Sequence, residues 1–342
     1  MIRSKITPLL TAVAATALLA ACAVGPKAPD APLPPSASGA FVSTPIGTAN
    51  GAVSTAEARD DWWRLYADPV LDGLIEQAFA RNNELEAAVA NLRAVRASLS
   101  EARSARLPST TTSGAYSYGR QSANAQAIPG VPSTGEPLDE TETYDVGLDV
   151  SYEVDLFGRV GSTIRAARAD ADAQEAALNV TRVSVAAETA RAYADACSAN
   201  AQIAVAERTI ELQGRTADLT RRLRDGGAGS GLDVARAQSQ LASTRAQLPT
   251  LRAQRDEALF RLATLTGVTP AEASQAARAC LRPPQLTQPI PVGDGAALLA
   301  RRPDVRQAER NLAAAAARVN VATASLYPQI TLGGSVGSTA LD

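Results

Sequence analysis

Histidine is absent from all 342 residues of this chain, which removes the commonest general base and the commonest metal ligand. Ser-His-Asp, Cys-His and His-metal chemistry are excluded with it. The two lysines, Lys5 and Lys27, both lie near the N-terminus, so a lysine phosphate-binding loop or a Schiff-base site in the body of the chain is excluded too. A net charge of −2 leaves no concentrated basic face for nucleic acid, and no nucleic-acid partner is expected. Aromatic residues make up 4% of the chain, and cysteine occurs three times. No catalytic residue, metal ligand or cofactor is expected from this composition.

What is present begins with MIRSKITPLLTAVAATALLAAC, where Arg3 and Lys5 precede an apolar run from about Ile6 to Ala21. The run is too short to cross a bilayer comfortably and has the length of a secretory signal peptide. It closes on Leu19-Ala20-Ala21-Cys22, which resembles a bacterial lipobox, with Cys22 becoming the lipidated N-terminus. Ala23 in place of an aspartate suggests, by the sorting pattern of such lipoproteins, the outer membrane. Residues 1–21 are therefore expected to be a signal peptide. Residues 22–60, dense in Pro, Gly, Ser and Ala with almost no apolar period, are expected to be a lipidated, flexible tether.

Folded sequence is expected from Asp61-Trp62-Trp63 onward. Helical spacing at Val70, Leu71, Leu74, Ile75 and Ala78 is followed by a break at Asn82-Asn83 and a second helix closed by Pro108. STTTSGAYSYG then alternates as a strand, with Thr110, Thr112, Tyr116 and Tyr118 on one parity. A polar loop leads to TYDVGLDVSYEVD, which alternates without a slip. Tyr144, Val146, Leu148, Val150, Tyr152 and Val154 share one side, and Asp145, Asp149, Ser151 and Glu153 the other.

Arg159 to about Asp225 contains no proline and few glycines, so roughly 65 residues of helix would reach on the order of 100 Å. Its large apolar residues recur at steps of seven, as Leu178 and Val185, Ile203 and Ile210, and Val205, Leu212 and Leu219, a spacing that favours left-handed supercoiled pairing. The cluster Gly226-Gly227-Ala228-Gly229-Ser230-Gly231 follows a helix and lacks a following lysine, so it reads as a tight reversal and not a phosphate cradle. The return arm repeats the seven-step at Val234, Leu241 and Leu248 and is expected to be interrupted at Pro249. Residues 81–114 align with 301–334 at a constant offset, matching Arg81 to Arg301, Pro108 to Pro328 and Gly114 to Gly334. Composition alone explains two alanine-rich helices, but not the shared junction of proline and strand.

LAACAVGP, DWWRLYADPVLDGLIEQAFARNNEL, YDVGLDVSYEVDLFGRV, GSGLDVARAQSQLASTRAQLP and RRPDVRQAERNLAAAAARVNVATASLYPQITLGG together resemble the TolC-like outer-membrane efflux factors, in their NodT-type lipoprotein branch. The resemblance implies a mainly α fold with β. Long α-helical hairpins would form a periplasmic α-barrel, and transmembrane strands a β-barrel completed only as a trimer. It assigns 61–107 and 157–327 to the periplasmic helical domain, and 108–156 and 328–342 to outer-membrane strands. The implied function is the exit duct of a tripartite RND-type efflux system, a passive conduit for small molecules or drugs and not an enzyme. The implied partners are two further copies in a homotrimer, a periplasmic adaptor, an inner-membrane RND transporter, and outer-membrane lipid through acylated Cys22.

In such a barrel Tyr144 to Val154 would face lipid, and Asp145, Asp149 and Glu153 would line water as an acidic ring favouring cations. The resemblance carries an adaptor-contact role to Gly227, Gly229, Ser230 and Asp233, the last of which also fits an ordinary helix start. Cys197 would lie level with about Leu259 on the return arm, near Cys280, and a disulfide between the two cysteines is one open reading. By the repeat logic a further strand and a second hairpin are expected after Asp342, so the second repeat reads as C-terminally truncated. Two other readings stay open: a periplasmic-facing structural or adaptor-like lipoprotein, and a non-functional fragment of the channel.

Overall fold

The structure is a computed structural model that describes residues 25, 32, 35–38, 53–54, 56–120 and 140–341. The expected signal peptide, Cys22, most of the tether and the connection at 121–139 lie outside the described residues. In chain order the elements are β1 (Val53–Ser54), α1 (Pro69–Arg81), α2 (Asn83–Ser104), β2 (Ser109–Arg120), β3 (Glu140–Val154), α3 (Arg159–Asp225) and α4 (Gly231–Leu265). There follow α5 (Gln275–Ala279), β4 (Ile290–Pro291), α6 (Gly295–Arg301), α7 (Pro303–Ala324) and β5 (Ile330–Leu341). Two compact units emerge. Among the described residues, one comprises those within 94–171 and 310–341, and the other those within 32–93 and 172–309.

The first unit holds the three-stranded sheet, in which β3 pairs antiparallel with β2 on one side and β5 on the other. The internal repeat is visible in these elements: α2 and α7 each span 22 residues at the expected offset, and each leads into a 12-residue strand flanking β3. A small core of Leu99, Val160, Ile164 and Ala171 packs the helix ends beneath the strands. The junction from β3 into α3 is capped from the strand side: Val160 N–H and Gly161 N–H donate to the two carboxylate oxygens of Asp155 at 3.0 and 2.7 Å.

The second unit is built around the α3–α4 hairpin. Leu71, Leu74 and Ile75 of α1 pack with Ala192, Tyr193 and Ala196 of α3 and Leu259 and Leu262 of α4, and Trp62 and Trp63 close the cluster. Asp68 caps α1, accepting from Val70 and Leu71 N–H at 2.9 and 3.2 Å, and its other oxygen accepts from the Tyr193 hydroxyl at 3.1 Å. Burial, with Asp68 adding to it, pushes the Tyr193 phenol up to about 12. Asn82 explains the break between α1 and α2. Its side-chain oxygen accepts from Glu84 and Leu85 N–H, while its amide donates to the Leu265 carbonyl at 3.0 Å, tying the break to the end of α4.

Two expectations are corrected here. Helix α4 runs through Pro249 from Gly231 to Leu265 without a break. Proline removes one N–H, and both Pro249 and Arg245, whose carbonyl would have accepted from it, are exposed, where a missing helix bond costs less than in a buried turn. The tether, expected to be flexible throughout 22–60, is structured over several described residues. Pro35–Ser38 form a 3₁₀ turn, β1 pairs parallel with β4, and the Arg301 guanidinium donates to the Ala58 carbonyl and pairs with Asp60 at 3.1 Å. Composition cannot reveal this docking, because backbone pairing needs a free edge and not an apolar pattern.

Candidate functional site

Three places expected to be functional can be built from the residues upward: the two faces of the sheet, the turn of the hairpin, and the cysteine pair.

Cross-strand partners share a face, so the register places Tyr116 beside Tyr144, Thr112 and Val336 beside Leu148, and Leu332 beside Tyr152. One face is therefore apolar across strands β3 and β5, and Val146 and Val336 remain 64% and 69% exposed on it, part of a contiguous exposed apolar surface with Leu148, Val150 and Leu332. From Tyr144 to Val154 the strand covers about 34 Å, and a tilt of about 40° reduces this to a height of about 26 Å, close to the apolar band of an outer-membrane barrel. Aromatic rings mark both ends of the band. Tyr116 and Tyr144 lie 5.1 Å apart at the end nearest the 121–139 connection, and Phe157 stacks on Tyr327 at 4.8 Å where the helices begin.

The opposite face carries Asp145, Asp149 and Glu153 among small residues, with Ser113 and Gly337 flanking Gly147. Asp145 accepts from the Thr339 hydroxyl at 2.5 Å. Glu153 differs from the other two: Arg159 Nε donates to it at 2.8 Å and its second guanidinium nitrogen to the other oxygen, so a cation compensates its charge. The start of α3 thus brings an arginine onto the strand end beside Glu153. No spacing rule links Glu153 to Arg159 across a strand-to-helix turn.

At the hairpin turn α3 ends in a Schellman motif. Ala228 N–H donates to the Leu223 carbonyl at 2.8 Å and Gly227 N–H to that of Arg224 at 2.9 Å, with Gly227 at φ +79°, where a side chain would be strained. Gly229 crosses the same helix end so closely that a Cβ there would meet Arg224 N at 3.1 Å. Ser230 and Asp233 form a capping box on α4: Asp233 N–H donates to Ser230 Oγ at 3.2 Å, and Ser230 Oγ and N–H donate to Asp233 at 2.6 and 3.3 Å. Hydrogen bonding to Ser230 holds the Asp233 carboxyl below its ordinary value. Salt bridges Arg221–Asp218 and Arg224–Asp225, at 3.1 and 2.6 Å, leave the turn a mixed-charge exposed tip.

Cys197 on α3 and Cys280 after α5 are joined, with sulfurs 2.11 Å and Cα atoms 4.9 Å apart. Cys22 lies outside the described residues. Among the described residues no group of three or more His, Cys, Asp or Glu could hold a metal ion, and no helix is long and apolar enough to cross a membrane.

Residues 74–268 and 296–342 match the family model of the outer membrane efflux proteins. The chain is 30% identical over 323 residues to nodulation protein T of Rhizobium leguminosarum bv. trifolii, covering 93% of this chain and 65% of that protein. It is 32% identical over 294 residues to the pyoverdine export outer membrane protein OpmQ of Pseudomonas aeruginosa, covering 84% and 60%. The chain thus spans 60–65% of the length of these two relatives. The solved structure of the outer-membrane channel OprN superposes with a TM-score of 0.80 at 34% identity, over 94% of this chain and 73% of that one.

Proposed function

The chain belongs to the outer membrane efflux protein family, and from that premise we propose that it is an exit-duct subunit of a tripartite RND-type efflux system. Its location is the cell outer membrane, with the helices extending into the periplasm. The observation that carries the proposal is the two-faced sheet: an apolar band of membrane height, rimmed by aromatics, backed by a face of Asp, Ser, Thr and Gly. The outer edges of β2 and β5 are unpaired among the described residues, and an open edge is not tolerated in lipid. Closure by strands of other copies, in a homotrimer, meets that requirement.

In this reading solutes pass through without bond chemistry, and selection of small molecules or drugs belongs to the inner-membrane transporter. Gly227, Gly229, Ser230 and Asp233 present the hairpin tip to a periplasmic adaptor, and acylated Cys22 anchors the chain in lipid. Asp145 and Asp149, repeated by the symmetry of the trimer, bias the mouth towards cations, whereas Glu153 contributes little because Arg159 compensates it. The test is the native mass and planar-bilayer conductance of the detergent-extracted chain from separated outer membranes. A conducting trimer is expected; a monomer without conductance would overturn the proposal.

A further inference from the structure

The segment between Gly267 and Arg302 links the hairpin to α7 and is held at separate points, the last of them Arg301 against Ala58 and Asp60. Its first fixed point after α5 is on α3. Cys197 bonds Cys280, and one turn along the same helix the Asn200 amide donates to the carbonyls of Arg278 and Cys280 at 3.0 and 2.9 Å. Its second is Thr287, whose N–H and hydroxyl donate to the Leu65 carbonyl at 3.0 and 2.9 Å. Its third is Val292 and Gly293, whose N–H groups donate to Ser54 and Ala56. Between the first two fixed points Leu281 and Leu286 stand exposed, so burial does little to hold this stretch. Ala277 lies in the same core cluster as Cys197, so the clasp also seats α5 over that core.

We propose that Cys197 and Cys280 form a clasp whose oxidation is a required step in maturing this chain, which makes the chain a client of a disulfide-bearing dithiol oxidoreductase of the periplasm. The inference rests on the outer-membrane location argued above, since only a route through an oxidising compartment supplies that oxidant. The step balances. One thiolate of the pair attacks the oxidoreductase disulfide to give a mixed disulfide, and the second thiolate displaces it. The chain loses two electrons and two protons, and the oxidoreductase leaves as a dithiol.

Two features of the molecule make the step ordered. The chain has three cysteines and Cys22 is assigned to acylation, so this pair has no competing partner. Cys197 is fully buried in the folded unit while Cys280 is half-buried, so the oxidoreductase must act before the 267–302 segment closes over α3. Once made, the bond keeps its Cys197 sulfur enclosed in the core, with only the Cys280 end partly open to solvent.

The test uses the tagged full chain recovered from whole cells with and without their periplasmic dithiol oxidase, denatured in alkylating reagent and weighed intact before and after reduction. With the oxidase, the unreduced chain should take up no alkyl group at Cys197 and Cys280, and two after reduction. Without it, both thiols should be alkylated directly, and limited proteolysis should cut between Gly267 and Arg302. The paired variant C197A/C280A, which keeps small apolar groups in the core, should show the same cleavage in oxidase-proficient cells. Two free thiols in the chain from oxidase-proficient cells, or a C197A/C280A chain as resistant as the parent, would overturn the clasp. Recovery of an oxidised chain away from the outer-membrane fraction would instead overturn the location while leaving the clasp standing.

Discussion

The two halves of the α3–α4 hairpin carry the same kind of sequence and have opposite fates. In the half near its base, Leu178, Val185, Tyr193, Ala196, Leu259 and Leu262 are buried in clusters shared with α1 and α2. In the half near its tip, from 204 to 257, Ala217, Val234 and Thr244 are the buried residues, while Val205, Leu212, Leu219, Leu223 and Leu232 are 46–67% exposed. Leu178 and Val185 are seven residues apart, and so are Leu212 and Leu219. Heptad spacing makes a seam, and only the presence of a partner decides whether the seam is dry. The base is a core of this chain alone. The tip leaves the same kind of stripe exposed, with nothing among the described residues packed on it.

The contrast is broken most severely at the base. Leu262→Ala removes a side chain that is 1% exposed, and it is expected to cost about 2–5 kcal/mol in denaturant unfolding, whereas Leu219→Ala should change unfolding of the isolated chain by less than about 1 kcal/mol. Equal costs at the two sites would erase the distinction. In the assembled protein the order should reverse for association. The double substitution Leu212→Ser with Leu219→Ser should leave the secondary structure of the chain intact and shift its native mass from trimer towards monomer in analytical ultracentrifugation. An unchanged trimer would mean that the exposed stripe is not a subunit seam.

Alkaline titration sharpens the same comparison. Tyr193 sits in the base cluster with its phenol pushed up to about 12, so the folded chain keeps a proton that the unfolded chain releases near 10. Its stabilisation is complete below about pH 10 and lost as the pH rises through about 12, on the order of 2–3 kcal/mol. Tyr193→Phe should remove that window from the pH profile of unfolding, together with the bond to Asp68. The smallest effect is expected at the tip. Ser230→Ala should cost about 1 kcal/mol of local helix stability, read as faster amide exchange in the first turn of α4, with the base unaffected. The companion carboxylate of Asp233 has a lowered pKa, so this cap is present at neutral pH and fades only as the pH falls below the ordinary aspartate range.

Much of this architecture was legible residue by residue. The strict alternation from Tyr144 to Val154 became one face of β3, the proline-free run from Arg159 became a single 67-residue helix, and the repeated junction at Pro108 and Pro328 became two strands flanking β3. What escaped shares a physical character. Glu153 met Arg159, Asn82 met Leu265 and Arg301 met Ala58 because tertiary packing brought together groups whose sequence separation carries no period. Pro249 departs from expectation for the opposite reason: the local rule is strong, but α4 continues through an exposed proline.

The periods of two and of seven, the glycines at the reversal and the proline junctions were enough to determine which segments are strands, which are helices and which side of each is apolar, because these depend on local backbone geometry and side-chain direction alone. Which apolar stripe is buried within the chain, which acid meets an arginine and where the N-terminal segment docks were decided only in three dimensions. Burial and compensation depend on which distant surfaces meet, and heptad-spaced leucines are a core where other helices cover them and an exposed stripe where nothing among the described residues does.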